Sequence, residues 1–187
     1  MTKTRCTWCG TDPLYIDYHD KEWGKPVYDD ATIFEFLILE TFQAGLSWIT
    51  ILRKRENFRK AFDDFDYIKI ANYSENKYEK LLQDAGIIRN KLKIKATITN
   101  AQLFIDVQKE FGSFSKYIWS FTNGKPIKNN FKNMSEIPAT TELSDQLSKD
   151  LKKRGFKFVG STVIYAHMQA TGMVNDHTTE CFRYNEV

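Results

Sequence analysis

With 187 residues, 42% hydrophobic and 14% aromatic, the chain can bury one substantial core but not two large ones. The expectation is one domain over residues 1–187, in two lobes at most, with no linker. A net charge of +3 is too small to identify a nucleic-acid partner by itself. No apolar stretch approaches the length of a membrane span and the first residues form no apolar signal region, so a soluble, cytoplasmic monomer without a membrane partner is expected.

The first 25 residues concentrate chemistry. Cys6 and Cys9 stand at C-x2-C spacing and His19 follows, while Trp8, Tyr15, Tyr18 and Trp23 supply aromatic faces. From Ala31 to Ala44, Ile33, Phe36, Leu37, Glu40 and Ala44 share one helical face, and Phe34, Ile38 and Phe42 cover much of the next. A helix apolar nearly all round is a buried one, which makes Glu40 conspicuous. Gly45 is placed to end this helix in a left-handed conformation, and Ser47 to cap a second one through Trp48, Ile49, Leu52 and Phe58. Leu46 then sits in a tight turn.

Ser74 opens a further helix with Lys77, Tyr78, Leu81 and Leu82 that Gly86 is expected to end, and a long amphipathic helix follows over about Asn90–Phe111. Arg89, Lys91, Lys93 and Lys95 form one basic cluster; Lys149, Lys152, Lys153, Arg154 and Lys157 form another. Each suits a solvated helix face or phosphate contact. Helices over Ser144–Arg154 and Ser161–Thr171 flank a connector from Gly155 to Gly160, and strand-like alternation is almost absent. The fold class is all-α.

His177 and Cys181 form a second ligand pair four residues apart, near the C-terminus. Zinc takes four Cys or His ligands in structural sites, so two such pairs predict one zinc closing the ends of the chain together. Spacing alone selects Cys6, Cys9, His177 and Cys181 and leaves His19 free. His167, in the middle of the last helix, reads as a packing residue. Glu40 is either half of a buried ion pair, or bonded to backbone, or the acidic wall of a pocket for a ligand with positive charge or amino donors. Aromatic faces beside it suit a flat, electron-poor ring.

Several ordered blocks carry a resemblance across nearly the whole chain. They are Cys6-Thr7-Trp8-Cys9, Asp12-Pro13-Leu14-Tyr15, Tyr18-His19-Asp20, Glu22-Trp23-Gly24, Gln43 to Thr50, Gln83 to Arg89, Lys152 to Gly160 and Val174-Asn175-Asp176-His177. Together they resemble the bacterial 3-methyladenine DNA glycosylase I family. The resemblance implies a helix-hairpin-helix fold and an enzyme that excises 3-methyladenine from alkylated duplex DNA, leaving an abasic site. It also implies a structural zinc held by Cys6, His19, His177 and Cys181, in place of the set chosen by spacing, with Cys9 left as an alternate ligand.

The resemblance further implies a base pocket centred on Glu40, with Tyr18 and Trp48 around it and Trp8 and Tyr15 nearby. Base extraction needs a wedge, for which Leu46 after Gly45 is the natural candidate. The hairpin with Gly155, Lys157, Gly160 and Ser161 is placed to contact phosphates, although Phe158 stands where such hairpins have a first glycine. Asp176 is expected as a partner of His177; it lies near where helix-hairpin-helix glycosylases usually place an acid supporting the sugar cation, but the resemblance implies that this branch manages without one. Three rivals remain: a non-catalytic zinc module that binds nucleic acid; a zinc hydrolase with Glu40 as base, which requires an open metal position; and a glycosylase of the same class that removes another base, such as 3-methylguanine or a 7-methylpurine.

Overall fold

The computed structural model describes residues 3–187. Nine helices carry the described residues: α1 (Pro13–Lys21), α2 (Asp30–Gln43), α3 (Trp48–Ala61), α4 (Tyr67–Ala71), α5 (Glu75–Gln83), α6 (Lys91–Phe111), α7 (Phe114–Ser120), α8 (Glu142–Lys153) and α9 (Ser161–Ala170). Two two-residue strands, β1 (Ile127–Lys128) and β2 (Val174–Asn175), pair in parallel. The all-α class expected from the sequence holds.

α2 is the axis of the molecule. It packs against α3, α6, α7 and α9, and Phe36 through Phe42 are all buried. Each fully buried large apolar side chain contributes about 1.5–3 kcal/mol, so the helix is held by its neighbours rather than by its intrinsic propensity. The Asp29 carboxylate caps it by accepting from the Thr32 amide at 2.8 Å. Asp30, in its first turn, also accepts from the amides of Phe114 and Ser115 at 2.9 and 2.7 Å, so it caps α7 as well.

Several local expectations shift. α5 stops at Gln83, three residues before Gly86, whose own N–H bonds to Asp84 at 2.7 Å in a tight turn. α8 starts two residues earlier than expected, because Thr141 and Ser144 exchange the reciprocal bonds of a capping box. Ser47 occupies the N-cap of α3 but spends its hydroxyl on Thr50 Oγ1, 2.8 Å away, instead of capping.

Lys93 leaves the basic cluster altogether. It is buried, and its ammonium donates to the carbonyls of Phe42 and Ala44 at 3.0 and 3.1 Å, with no carboxylate in ion-pair range among the described residues. A cation here satisfies orphaned carbonyls at the negative end of the α2 dipole. Lys93→Met is therefore expected to cost about 1.5–3 kcal/mol, the range for hydrogen bonds to a charged group, read as a lowered urea midpoint.

Candidate active site and metal cluster

α1, α2, the start of α3 and α9 surround a cavity of about 190 Å³. Trp8, Tyr15, Tyr18, Trp23 and Trp48 supply aromatic walls, Glu40, Gln43 and Gln169 the polar groups, and Met134, Ile137 and Ala166 the remaining apolar surface. The rings lean on one another: Trp8 meets Tyr15 at 4.9 Å between centroids and Trp23 at 5.0 Å, and Tyr18 meets Trp48 at 5.6 Å. Mutual packing at edge and tilted angles fixes the walls before any ligand arrives. All five residues expected at the pocket from the sequence line this cavity.

Three buried polar atoms here have no hydrogen-bond partner: Glu40 Oε2, Trp8 Nε1 and Trp48 Nε1. An unsatisfied buried polar atom costs about 1–3 kcal/mol, so finding three of them on the walls of one cavity marks a place built for a polar ligand. Glu40 is 4% exposed and forms no ion pair among the described residues, which rules out the structural reading of this carboxyl. The nearby buried cation, Arg55, is taken by Glu22 and Glu35 at 2.7 and 2.6 Å. Burial alone pushes the Glu40 carboxyl up to about 8. Tyr18 is pushed well above the usual phenol range by burial and then by Glu40.

A second cluster lies on the far side of His19. The ligating atoms of Cys6, His19, His177 and Cys181 all lie within 4.8 Å of one another, and all four residues are buried. Cys6 Sγ and Cys181 Sγ each stand 3.5 Å from His177 Nδ1, and Cys181 Sγ stands 3.4 Å from His19 Nε2. A tetrahedron with ordinary zinc–sulfur and zinc–nitrogen bonds has S–N edges of about 3.5 Å. The donor set and its spacing therefore fit one zinc ion.

The outer nitrogens of both imidazoles are held. His19 Nδ1 lies 2.8 Å from Asp20, and His177 Nε2 lies 3.1 Å from the Trp23 carbonyl. Asp20 is itself gripped by Arg5, which draws its carboxyl down to about 2, with His19 adding to the shift. The closeness of the two thiols to each other holds Cys181 well below the usual range and pushes Cys6 above it. Gly24, at φ +76°, has to lack a side chain: a Cβ there stands 2.9 Å from His177 Nε2.

The ligand set chosen by spacing is corrected. Cys9 turns its thiol back onto the Cys6 carbonyl at 3.1 Å, within a short 3-10 turn, and His19 takes the place in the cluster. Asp176 is corrected too. Its carboxylate accepts from Asn129, Tyr165 and Gln169, and makes no bond to His177. His167 is a packing residue, as read: it is 1% exposed, its Nε2 faces the Ile33 carbonyl at 3.2 Å, and burial lowers it to about 4.

The expected DNA-facing residues lie on two turns. Gly45 adopts φ +84° and Leu46 is 40% exposed, with its amide donating to the carbonyl of the cavity residue Gln43. In the hairpin, Gly155 has φ +103°, and Phe158 is itself left-handed at φ +56° while 39% exposed. The Lys157 amide is spent on Asn100 at 2.8 Å and the Ser161 hydroxyl on Ser144 at 2.8 Å, which leaves the exposed Lys157 ammonium and the uncapped start of α9 at Gly160 without partners among the described residues. Sequence reasoning missed Trp23, Gln43, Met134, Ile137, Ala166 and Gln169 as cavity walls. Gln43 and Trp23 lie in the resembling blocks; for the others no short-range signal exists.

Comparison with known proteins agrees with this architecture. Residues 8–184 match the model of the methyladenine glycosylase family. The chain is 52% identical to DNA-3-methyladenine glycosylase 1 of Escherichia coli K12 over 180 residues, 96% of each chain. A crystal structure of 3-methyladenine DNA glycosylase I superposes with a TM-score of 0.93 at 51% identity, covering 96% of this chain and 98% of the other. A variant of 3-methyladenine DNA glycosylase I in complex with 3-methyladenine superposes with a TM-score of 0.92 at 36% identity, covering 95% and 96%. Matched over nearly its whole length in sequence and in backbone, this chain belongs to the methyladenine glycosylase family.

Proposed function

We infer that this protein is a monofunctional DNA-3-methyladenine glycosylase of base-excision repair, and that the aromatic cavity around Glu40 receives the extruded base. The observation that carries the site assignment is the trio of unpartnered polar atoms, Glu40 Oε2, Trp8 Nε1 and Trp48 Nε1, around a cavity walled by aromatic rings. An adenine alkylated at ring nitrogen 3 within DNA carries positive charge, stacks well on electron-rich rings and offers an amino donor to Glu40.

In the reaction, the bond between base and sugar breaks with its electron pair going to the purine. Water adds its oxygen to the sugar carbon and loses a proton. The positive charge of the base neutralises itself in this step, so the leaving group needs no protonation. A fixed negative charge that favoured the cationic base throughout lowers the ground state as much as it helps recognition, and does not speed cleavage. Burial keeps Glu40 largely protonated at neutral pH in the empty pocket, and a cationic ligand draws it into the carboxylate form. Its role is recognition and positioning of the base within the catalytic site.

Cys6, His19, His177 and Cys181 are proposed to hold one structural zinc. With four protein ligands the ion has no open position for water, and its contribution is to tie the segment before α1 to the segment after β2. This argues against the zinc hydrolase. The non-catalytic module leaves the cavity and its orphaned polar atoms without a purpose.

Double-stranded DNA is the proposed partner, approached by Leu46 as wedge and by Lys157 and the Gly160 turn as phosphate contacts, with the protein acting as a cytoplasmic monomer. No described helix is long and apolar enough to cross a membrane. Leu46→Ala is expected to slow excision from duplex DNA at least tenfold while leaving affinity for free 3-methyladenine unchanged, because the wedge acts on the helix and not on the base. Equal losses in both assays contradict the wedge assignment. The function itself is tested by treating methylated duplex DNA with the protein and then alkali: strand breaks at adenines are expected, and an uncleaved duplex contradicts it.

A further inference from the structure

Asp176 is fully buried, and three neutral donors converge on it: Asn129 Nδ2 at 2.6 Å on one oxygen, and the Tyr165 hydroxyl at 2.6 Å and Gln169 Nε2 at 2.8 Å on the other. The β1–β2 pairing brings Asn129 and Asp176 together, and α9 supplies the other two donors. Of these only Gln169 lines the cavity. A carboxylate accepts and does not donate, so the Gln169 amide cannot turn over without setting its carbonyl oxygen against a carboxylate oxygen. Its Nε2 is committed to Asp176, and Oε1 is left with no assigned partner among the described residues.

We propose that Gln169, locked by Asp176, is a specificity-determining residue that presents a fixed carbonyl acceptor to the base and so selects adenine over guanine. The inference rests on the cavity being the base pocket. Adenine carries an amino donor at the ring position where guanine carries an oxygen acceptor. A fixed acceptor pairs with the first and repels the second. Toward an uncharged base Glu40 makes that distinction poorly, since a carboxylic acid both donates and accepts, and burial raises Glu40 far enough to keep this form populated near neutrality. The pocket thus divides its work, with Glu40 adapting to the ligand's charge and Gln169 reading its edge. Asp176 acts through Gln169 as a positioning residue.

The test is equilibrium titration of the intact zinc-loaded protein with 3-methyladenine and with 3-methylguanine, followed by tryptophan emission. Wild type is expected to prefer the adenine. Gln169→Leu should shrink the preference at least about tenfold through weaker adenine binding. Asp176→Asn should shrink it comparably through stronger guanine binding, because the freed amide can turn its NH2 toward the guanine oxygen. The double variant should match Gln169→Leu alone.

An unchanged ratio in Gln169→Leu, with a near-native melt, overturns the proposal. So does an Asp176→Asn effect that persists with Leu at 169. If Asp176→Asn fails to fold, the Gln169→Leu ratio decides by itself. A wild type whose emission responds to neither base overturns the pocket assignment too, which separates that failure from a failure of Gln169 alone.

Discussion

Chelating zinc from the holoprotein is expected to lower its melting temperature by about 10 °C or more and to release the two ends of the chain together. Structural zinc contributes about 10–16 kcal/mol in small zinc-finger peptides, where metal binding is folding. Here a large apolar core around α2 is expected to hold without the ion, so only part of that figure is at stake. Even 3–5 kcal/mol corresponds to about 6–20 °C in a domain of this size. The loss should be local, because Cys6 and Cys181 anchor segments whose backbones already meet: the Phe182 amide donates to the Thr4 carbonyl at 3.0 Å. Hydrogen exchange should rise first before α1 and after β2, and Cys181→Ala should reproduce the effect while Cys9→Ala does not, since Cys9 binds only a carbonyl. Metal analysis showing no stoichiometric zinc, or a melt indifferent to chelation, contradicts the assignment.

Glu40→Gln is expected to stabilise the empty protein while weakening its grip on the base. The Glu40 carboxyl stands near 8 when folded against 4.5 as its ordinary value, so the folded state favours the protonated form. Stability associated with this residue is complete below about pH 4.5 and falls as pH rises toward 8. At pH 7 the cumulative loss is about 3 kcal/mol. Glutamine is neutral throughout and escapes it, so the variant should melt about 6–12 °C above wild type at pH 7, with the gap closing near pH 4. Affinity should move the other way, falling by about 1.5–3 kcal/mol. Wild-type affinity for the cationic nucleotide should rise with pH up to about 8, and that dependence should vanish in the variant. A variant that melts lower than wild type at pH 7 contradicts the partnerless burial of Glu40.

Much of the architecture was legible because it is local. The apolar circumference of α2, the glycine that ends it and the exposed Leu46 all follow from residues within a few positions of one another. α7 was not, because its seven residues are too few to show a period and its start depends on Asp30, far away in sequence. The metal cluster shows the same limit. C-x2-C spacing favours Cys9, but which thiol faces the cluster is decided by the 3-10 turn at Thr7–Cys9 and by α1 delivering His19 from the other side.

Lys93 read as a surface cation from its neighbours Lys91 and Lys95, yet the helical phase turns it inward onto the end of α2, while those two stay exposed. The cavity needs Met134, Ile137, Ala166 and Gln169 to meet Trp8 and Glu40, a closure made by packing across the whole chain. Phe158 shows tertiary context imposing a left-handed backbone on a residue that does not favour it.

Chromatographic identification of the bases released from methylated duplex DNA, by wild type and by Glu40→Gln side by side, tests the central claim most directly. The account predicts free 3-methyladenine as the principal product of the wild type, and much slower release by the folded, zinc-loaded variant. Wild-type protein that releases no 3-methyladenine, or a Glu40→Gln variant that releases it as fast as wild type, contradicts it.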